Sequence, residues 1–244
     1  MKKIMQSVTC GMLALSLLLG GCAAGASQPA AEPETEQAPT IVGGWTINGE
    51  VTKAVDADAA EAFDLALDEL NANGVTNEAV ASLASQLVSG TNYAYLCKGT
   101  DASGATEWYV VVVYKGLDGT AAPTHTQKLD VSDLKVTADG AASEMVGAWA
   151  IVDPSNAALL PAEAKTAFDQ AAEKHLGLTL SPIATLATQV VSGTNYLVLC
   201  QGAPTTANPQ NGLYVATVYE NLDGVAEFTS VEALDLVHYV TPKA

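Results

Sequence analysis

Basic side chains are scarce in this chain. Ten Lys and Arg residues stand against 27 Asp and Glu, a formal net charge of −17 at pH 7, and a surface of that sign repels a phosphate backbone, which excludes nucleic acid as a partner. Long apolar runs are missing too: the stretch from about Val8 to Leu19 is too short to cross a bilayer as a free-standing helix. Between Ala23 and Thr40 there is no large apolar residue. Such a stretch of Ala, Gly, Ser, Pro, Glu and Gln cannot bury enough surface to order itself and reads as a flexible tether. Cysteine occurs at four positions and histidine at three, too few for a disulfide framework.

The N-terminus, by contrast, has the makings of an address. Lys2 and Lys3 precede the apolar run and Leu19-Gly20-Gly21-Cys22 follows it, the order of charge, h-region and small-residue site found in a secretory signal. This resembles a bacterial lipobox, whose cysteine becomes the lipid-modified first residue of the mature protein. The resemblance implies a signal over residues 1–21, a lipidated Cys22 with its linker over 22–40, and a protein held by that lipid alone at the bacterial cell envelope, facing outside the cytoplasm. Removal of Lys2 and Lys3 makes the mature chain more acidic still.

The remainder is duplicated. SQLVSGTNYAYLCKG, from Ser85 to Gly99, returns as TQVVSGTNYLVLCQG, from Thr188 to Gly202, and both the Gln86/Gln189 and Cys97/Cys200 pairs stand 103 positions apart. IVGGW at Ile41 to Trp45 echoes MVGAW at Met145 to Trp149, and VYKGLDG at Val113 to Gly119 echoes VYENLDG at Val218 to Gly224. A period of that length duplicates a whole domain rather than a solenoid unit, so two tandem domains are expected, over residues 41–140 and 141–244. Cys10 leaves with the signal, and Cys97 and Cys200 fall one per domain at the same strand position. No disulfide forms within a domain on that count, and buried free thiols are expected.

Each repeat shows one helix followed by strands. In the first, Asp56 or Asp58 caps a helix whose apolar face is Phe63, Ala66, Leu67 and Leu70, with Gly74 just beyond its end. In the second, Pro161 suits the first turn, Phe168, Ala171, Ala172 and His175 or Leu176 form the stripe, and Gly177 suits a left-handed C-terminal position. Strand chemistry covers Val80 to Val88, Tyr93 to Lys98, Trp108 to Lys115 and Leu129 to Val136, then Ile183 to Val191, Tyr196 to Gln201, Leu213 to Glu220 and Val231 to Val240. The expected fold class is therefore α+β, an antiparallel meander curled around one helix, twice over. Alternation turns Tyr93, Tyr95, Cys97, Tyr109, Val111 and Val113 toward the helix. It leaves Ala94, Leu96, Val110 and Val112, with Leu197, Leu199 and Val215 in repeat two, on an outer face too apolar to stand alone. Cover by the sister domain or by a second copy is expected.

These residues carry a family resemblance. Q-x-V-x-G followed by T-N-Y, an A-F-D-x-A-x-x-x-L helix before it and I-V-G-G near the domain start together resemble the cystatin superfamily of cysteine protease inhibitors, in two stefin-like copies covering residues 41–244. The resemblance implies one helix gripped by a four- to five-stranded antiparallel sheet. It also implies a wedge of three parts, a trunk ending in glycine, the Q-x-V-x-G hairpin and a second hairpin loop, that plugs a papain-like cleft without offering it a peptide bond in attackable geometry. Carried over residue by residue, the first trunk is Ile41, Val42, Gly43 and Gly44 and the first hairpin Gln86, Leu87, Val88, Ser89 and Gly90. The second head has Met145, Val146 and Gly147, then Gln189, Val190, Val191, Ser192 and Gly193. At the second loop a Pro-Trp pair of the secreted animal class is replaced by Leu117-Asp118-Gly119 and Leu222-Asp223-Gly224. An aspartate there costs desolvation if a cleft buries it without a partner.

Plainer readings stand beside these. The Q-x-V-x-G segment also makes a good turn between two core strands, and fold alone does not fix function. Trp45 and Trp149 suit core anchors, and Asn71 and Asn73 suit helix-ending turns rather than a legumain-binding loop. Cys97 and Cys200 suit inert packing, and His125, His175 and His238 recur at no matching positions, so neither a catalytic pair nor a metal or cofactor site is expected. Two function classes follow: a lipid-anchored, two-headed, non-enzymatic inhibitor of papain-like cysteine proteases, or a noncatalytic cell-surface binding or adhesion module built on the same domains.

Overall fold

A computed structural model describes residues 44–49, 51, 55–131, 134, 148–152 and 159–242, within a compact unit that runs from Pro39 to Ala244. The class is α+β. The first repeat contains β1 (Thr46–Ile47), α1 (Ala57–Leu70), β2 (Thr76–Val88), β3 (Gly90–Thr100), β4 (Thr106–Gly116) and β5 (Ala121–Lys128). The second contains β6 (Ala150–Ile151), α2 (Ala162–Lys174), β7 (Leu178–Val191), β8 (Gly193–Pro204), β9 (Gly212–Glu220), β10 (Ala226–Ala233) and a short α3 (Leu236–Val240). Each set of strands makes a five-stranded antiparallel sheet in plain meander order, β1 to β5 and β6 to β10.

The helices form where capping and spacing require. The Asp56 carboxylate accepts the Ala59 amide at 2.9 Å and starts α1, satisfying a backbone donor that has no partner within the helix. Ala59, Ala62, Phe63, Ala66 and Leu70 then bury one stripe against Tyr95, Cys97, Val111 and Val113. In repeat two Ala164, Ala167, Phe168 and Ala171 do the same against Tyr196, Val198, Cys200, Ala216 and Val218. Leu176 does not join that stripe, being 89% exposed, because α2 has already ended at Lys174. His175 instead lays its ring edge-on to Phe228 at 5.4 Å.

Two bulges in β2, between Ala79 and Ala81 and between Ser82 and Ala84, recur in β7 between Pro182 and Ala184 and between Thr185 and Ala187. Each inserts a residue, increases the local twist and bends the strand around its helix. Pro182 is tolerated because it sits at such an irregularity.

The faces away from the helices pack on each other. Ala94, Leu96, Val110 and Val112 share one buried cluster with Leu197, Leu199 and Val215, so the sister repeat covers the outer face. Hydrogen bonds cross between the repeats as well: Trp108 Nε1 donates to the Leu186 carbonyl at 2.8 Å and Gln201 Nε2 to the Asn48 carbonyl at 2.7 Å. The layers run helix, sheet, sheet, helix.

The last strand of each repeat departs from the expectation. In repeat one it is β5, Ala121–Lys128, not Leu129 to Val136. Leu129, Val131 and Leu134 leave the sheet and enter the core between the two sheets. In repeat two β10 ends at Ala233 and the rest of the expected strand forms α3. The Asp235 carboxylate caps it by accepting the Val237 amide at 3.1 Å, and Leu236, Tyr239 and Val240 are buried at helical spacing in the shared core.

Candidate functional site

Three segments of each repeat converge at one end of its sheet. The β2–β3 hairpin closes in the register Val88 to Gly90, which leaves Ser89 at the apex, and β3 and β4 are paired up to Gly90 and Gly116. Residues 117–120 therefore turn beside that apex. Thr46 of β1 lies opposite Ser85, so in this antiparallel pair the chain before Thr46 leads to the same end. Repeat two repeats the arrangement with Val191 opposite Gly193, Thr194 opposite Glu220 and Ala150 opposite Thr188. Gly44 is the one expected trunk residue described, and it is half-buried there. Ile41, Val42, Gly43, Met145, Val146 and Gly147, like Cys22, lie outside the described residues.

Apolar side chains are exposed along this edge. In repeat one Leu87, Val88 and Leu117 are 52%, 40% and 88% exposed, and in repeat two Val190 and Leu222 are 72% and 84% exposed. Val191 is half-buried, and both apex serines, Ser89 and Ser192, are exposed. Val225, 52% exposed, belongs to the same edge and was not expected from sequence. Its signal was available, since it replaces Thr120 after the shared Leu-Asp-Gly.

The polar and glycine positions of the signature serve the hairpin itself. Asn92 Nδ2 donates to Gln86 Oε1 at 2.7 Å, and Asn195 Nδ2 to Gln189 Oε1 at 2.9 Å, tying the two strands of each hairpin together. Gly90 has φ +136° and Gly193 φ +128°, a region that side chains rarely occupy. A Cβ on Gly90 would stand 2.5 Å from the Lys115 carbonyl and 2.7 Å from the Tyr114 ring, and one on Gly193 would collide with the Glu220 carbonyl. Neither Asn92 nor Tyr114 was expected as part of the edge.

Compared with known protein families and with curated proteins, the chain matches none.

Asp118 has partners within its own turn. Its Oδ1 accepts the Thr120 hydroxyl at 2.7 Å and the Thr120 amide at 3.1 Å, and the hydroxyl bond foremost holds the carboxyl below its ordinary value. In repeat two the turn is held instead by Asn221 Oδ1, which accepts the amides of Asp223 and Val225 at 2.9 and 3.0 Å. Lys115, beside the first apex, pairs with Glu61 of α1 at 2.6 Å, and that hydrogen bond raises its pKa. The edge thus presents apolar surface on two narrow turns, the second of them braced by a side-chain oxygen in each repeat.

The cysteines sit elsewhere. Cys97 and Cys200 are free and buried on the helix-facing side of their sheets. Burial alone pushes Cys97 well up and Cys200 up to about 12, which keeps both as thiols and takes away nucleophilic character. Asn71 and Asn73 act as turn residues: Asn71 Oδ1 accepts the Asn77 amide at 2.8 Å and Asn73 Oδ1 the Val75 amide at 3.0 Å.

Proposed function

We propose that each repeat is one head of a lipid-anchored, two-headed inhibitor of papain-like cysteine proteases, built from two cystatin-like domains. The observation that carries this is the convergence, in both repeats, of the chain entering β1 or β6, the Q-x-V-x-G apex and the second turn at one end of the sheet. Exposed Leu87, Val88, Leu117, Val190, Leu222 and Val225 line it. Leucine and valine at narrow turns fit apolar subsites of a cleft, and each methylene they lose from water contributes about 0.8 kcal/mol. The trunk, with Ile41, Val42, Gly43 and Gly44 in the first head and Met145, Val146 and Gly147 in the second, supplies the third contact. Blocking the cleft from three sides inhibits without any bond being made or broken.

Titrating papain with the mature chain tests the reading. Stoichiometric loss of activity at two proteases per chain is expected. Val88→Asp should silence the first head and Val190→Asp the second, because burying an unpaired carboxylate in an apolar subsite outweighs the contact it replaces. Unchanged inhibition in the double variant would remove the hairpins from the contact. One observation favours the second reading, a noncatalytic surface-binding module: Gln86 and Gly90 are already accounted for by the hairpin's own bonds. Absence of inhibition by the wild-type chain at high excess decides for that reading.

A further inference from the structure

On the face of β2, β3 and β4 nearest the apex, Gln86, Asn92 and Tyr114 stand opposite one another in one row across three strands. Gln189, Asn195 and Tyr219 form the same row in repeat two. The first two members of each row are hydrogen-bonded to each other. The third reaches further: Tyr114 Oη donates to the Ser89 carbonyl at 2.6 Å, and Tyr219 Oη to the Ser192 carbonyl at 2.6 Å. To get there each ring crosses the glycine that follows the apex, and a Cβ on Gly90 would lie 2.7 Å from the Tyr114 ring.

This arrangement has a mechanical consequence. A hairpin with one residue at its tip is held by its two strands only, and its outermost pair is the first to fray. The tyrosine ties the apex carbonyl to a third strand, so fraying must also break a bond to β4 or β9. From this we infer that Tyr114 and Tyr219 are positioning residues: they hold the apex in one shape, with glycine kept at 90 and 193 so that the ring can pass. The role in binding rests on the proposed inhibitory function, whereas the clamp itself is a property of the free protein. A pre-shaped apex loses less freedom on binding, and the gain falls mainly on the dissociation rate.

Two measurements on the full mature chain test this separately. Tyr114→Phe removes the hydroxyl and leaves the ring over Gly90. Amide hydrogen exchange in residues 86–91 of the free protein should quicken about fivefold, the loss of one neutral hydrogen bond, while exchange in residues 189–194 stays as it was. Tyr109→Phe is the control: the same change on the same strand, at the end where that ring lies against Gly99, should leave exchange in residues 86–91 unaltered. Unaltered exchange in Tyr114→Phe overturns the clamp whatever the protein inhibits. In a Val190→Asp background, which leaves only the first head, Tyr114→Phe should raise papain dissociation about fivefold, while the melting temperature falls by no more than about 2–4 °C, the share of that one bond. Faster exchange with unaltered dissociation overturns the positioning role. A wild-type chain that does not bind papain refutes the inhibitor reading instead, and the exchange result then decides the clamp alone.

Discussion

Trp108→Phe probes whether the two repeats fold as one body. Trp108 is 1% exposed and belongs to repeat one, yet its indole N–H ends on the Leu186 carbonyl of repeat two, 2.8 Å away. Phenylalanine keeps most of the apolar surface and removes the donor. The Leu186 carbonyl is not orphaned, because the Val152 amide still donates to it at 3.1 Å, so the bond itself is worth about 1 kcal/mol. Shrinking the ring in a close-packed core adds about 1 kcal/mol more, well short of the 3–5 kcal/mol that a full truncation to alanine costs. A total of about 2 kcal/mol corresponds to about 4–8 °C in Tm for a unit of this size. The assay is built in, since Trp45 and Trp149, one per repeat, are the chain's other two tryptophans, and both pack against the shared core. Single-tryptophan variants followed by fluorescence during urea unfolding should show both midpoints falling together. A midpoint that falls for Trp45 while that for Trp149 stays fixed would refute the shared core as the source of stability.

Buried thiols give a pH signature. Cys200 ionises near 9.0 when unfolded and near 12 when folded, so its contribution is fully present below pH 9 and is lost as pH climbs toward 12, at about 1.4 kcal/mol per pH unit. Cys200→Ala should flatten the alkaline stability profile by one proton's worth, and neither Cys97 nor Cys200 should react with a thiol reagent at pH 8 while the protein is folded. Cys22→Ala should move the protein from the membrane fraction to the soluble one. A variant still bound after a high-salt wash would remove the lipid as anchor.

Pattern made the helices and the inner strands legible. The alternation in YAYLC and WYVVVV assigned one set of side chains to the helix and the other to a hidden outer face, and both sets lie there. The last strands do not lie where apolar content points. β5 reads Ala-Ala-Pro-Thr-His-Thr-Gln-Lys, the composition of an edge strand with one face in water. Its Pro123 sits at a register shift against Val113, where proline is tolerated. The apolar residues after it were not strand residues but cover for the shared core. At the C-terminus the overlooked signal was a cap. Asp235 precedes apolar residues at 236, 239 and 240, which is helical spacing and not alternation.

The repeated signature divides by physical role. Gln86 and Gly90 have their reasons inside the hairpin: one holds Asn92, and the other lets the chain and the Tyr114 ring pass where a Cβ cannot. Any domain that needs this turn would keep them, partner or none, so their recurrence at Gln189 and Gly193 is equally well explained by folding. Leu87, Val88 and Val190 are different. They are large and apolar, yet they are 52%, 40% and 72% exposed to water. Leu117, Leu222 and Val225 share that property on the adjacent turn. Scattered single leucines on a surface carry no message, but six such side chains gathered on the same two turns of both repeats do. Within the signature the exposed apolar surface falls at Leu87 and Val190, which are variable positions, and at Val88, a fixed one. The two repeats differ on these turns at Leu87 against Val190 and at Thr120 against Val225, and under the proposed inhibitory function a preference for different proteases would be written there.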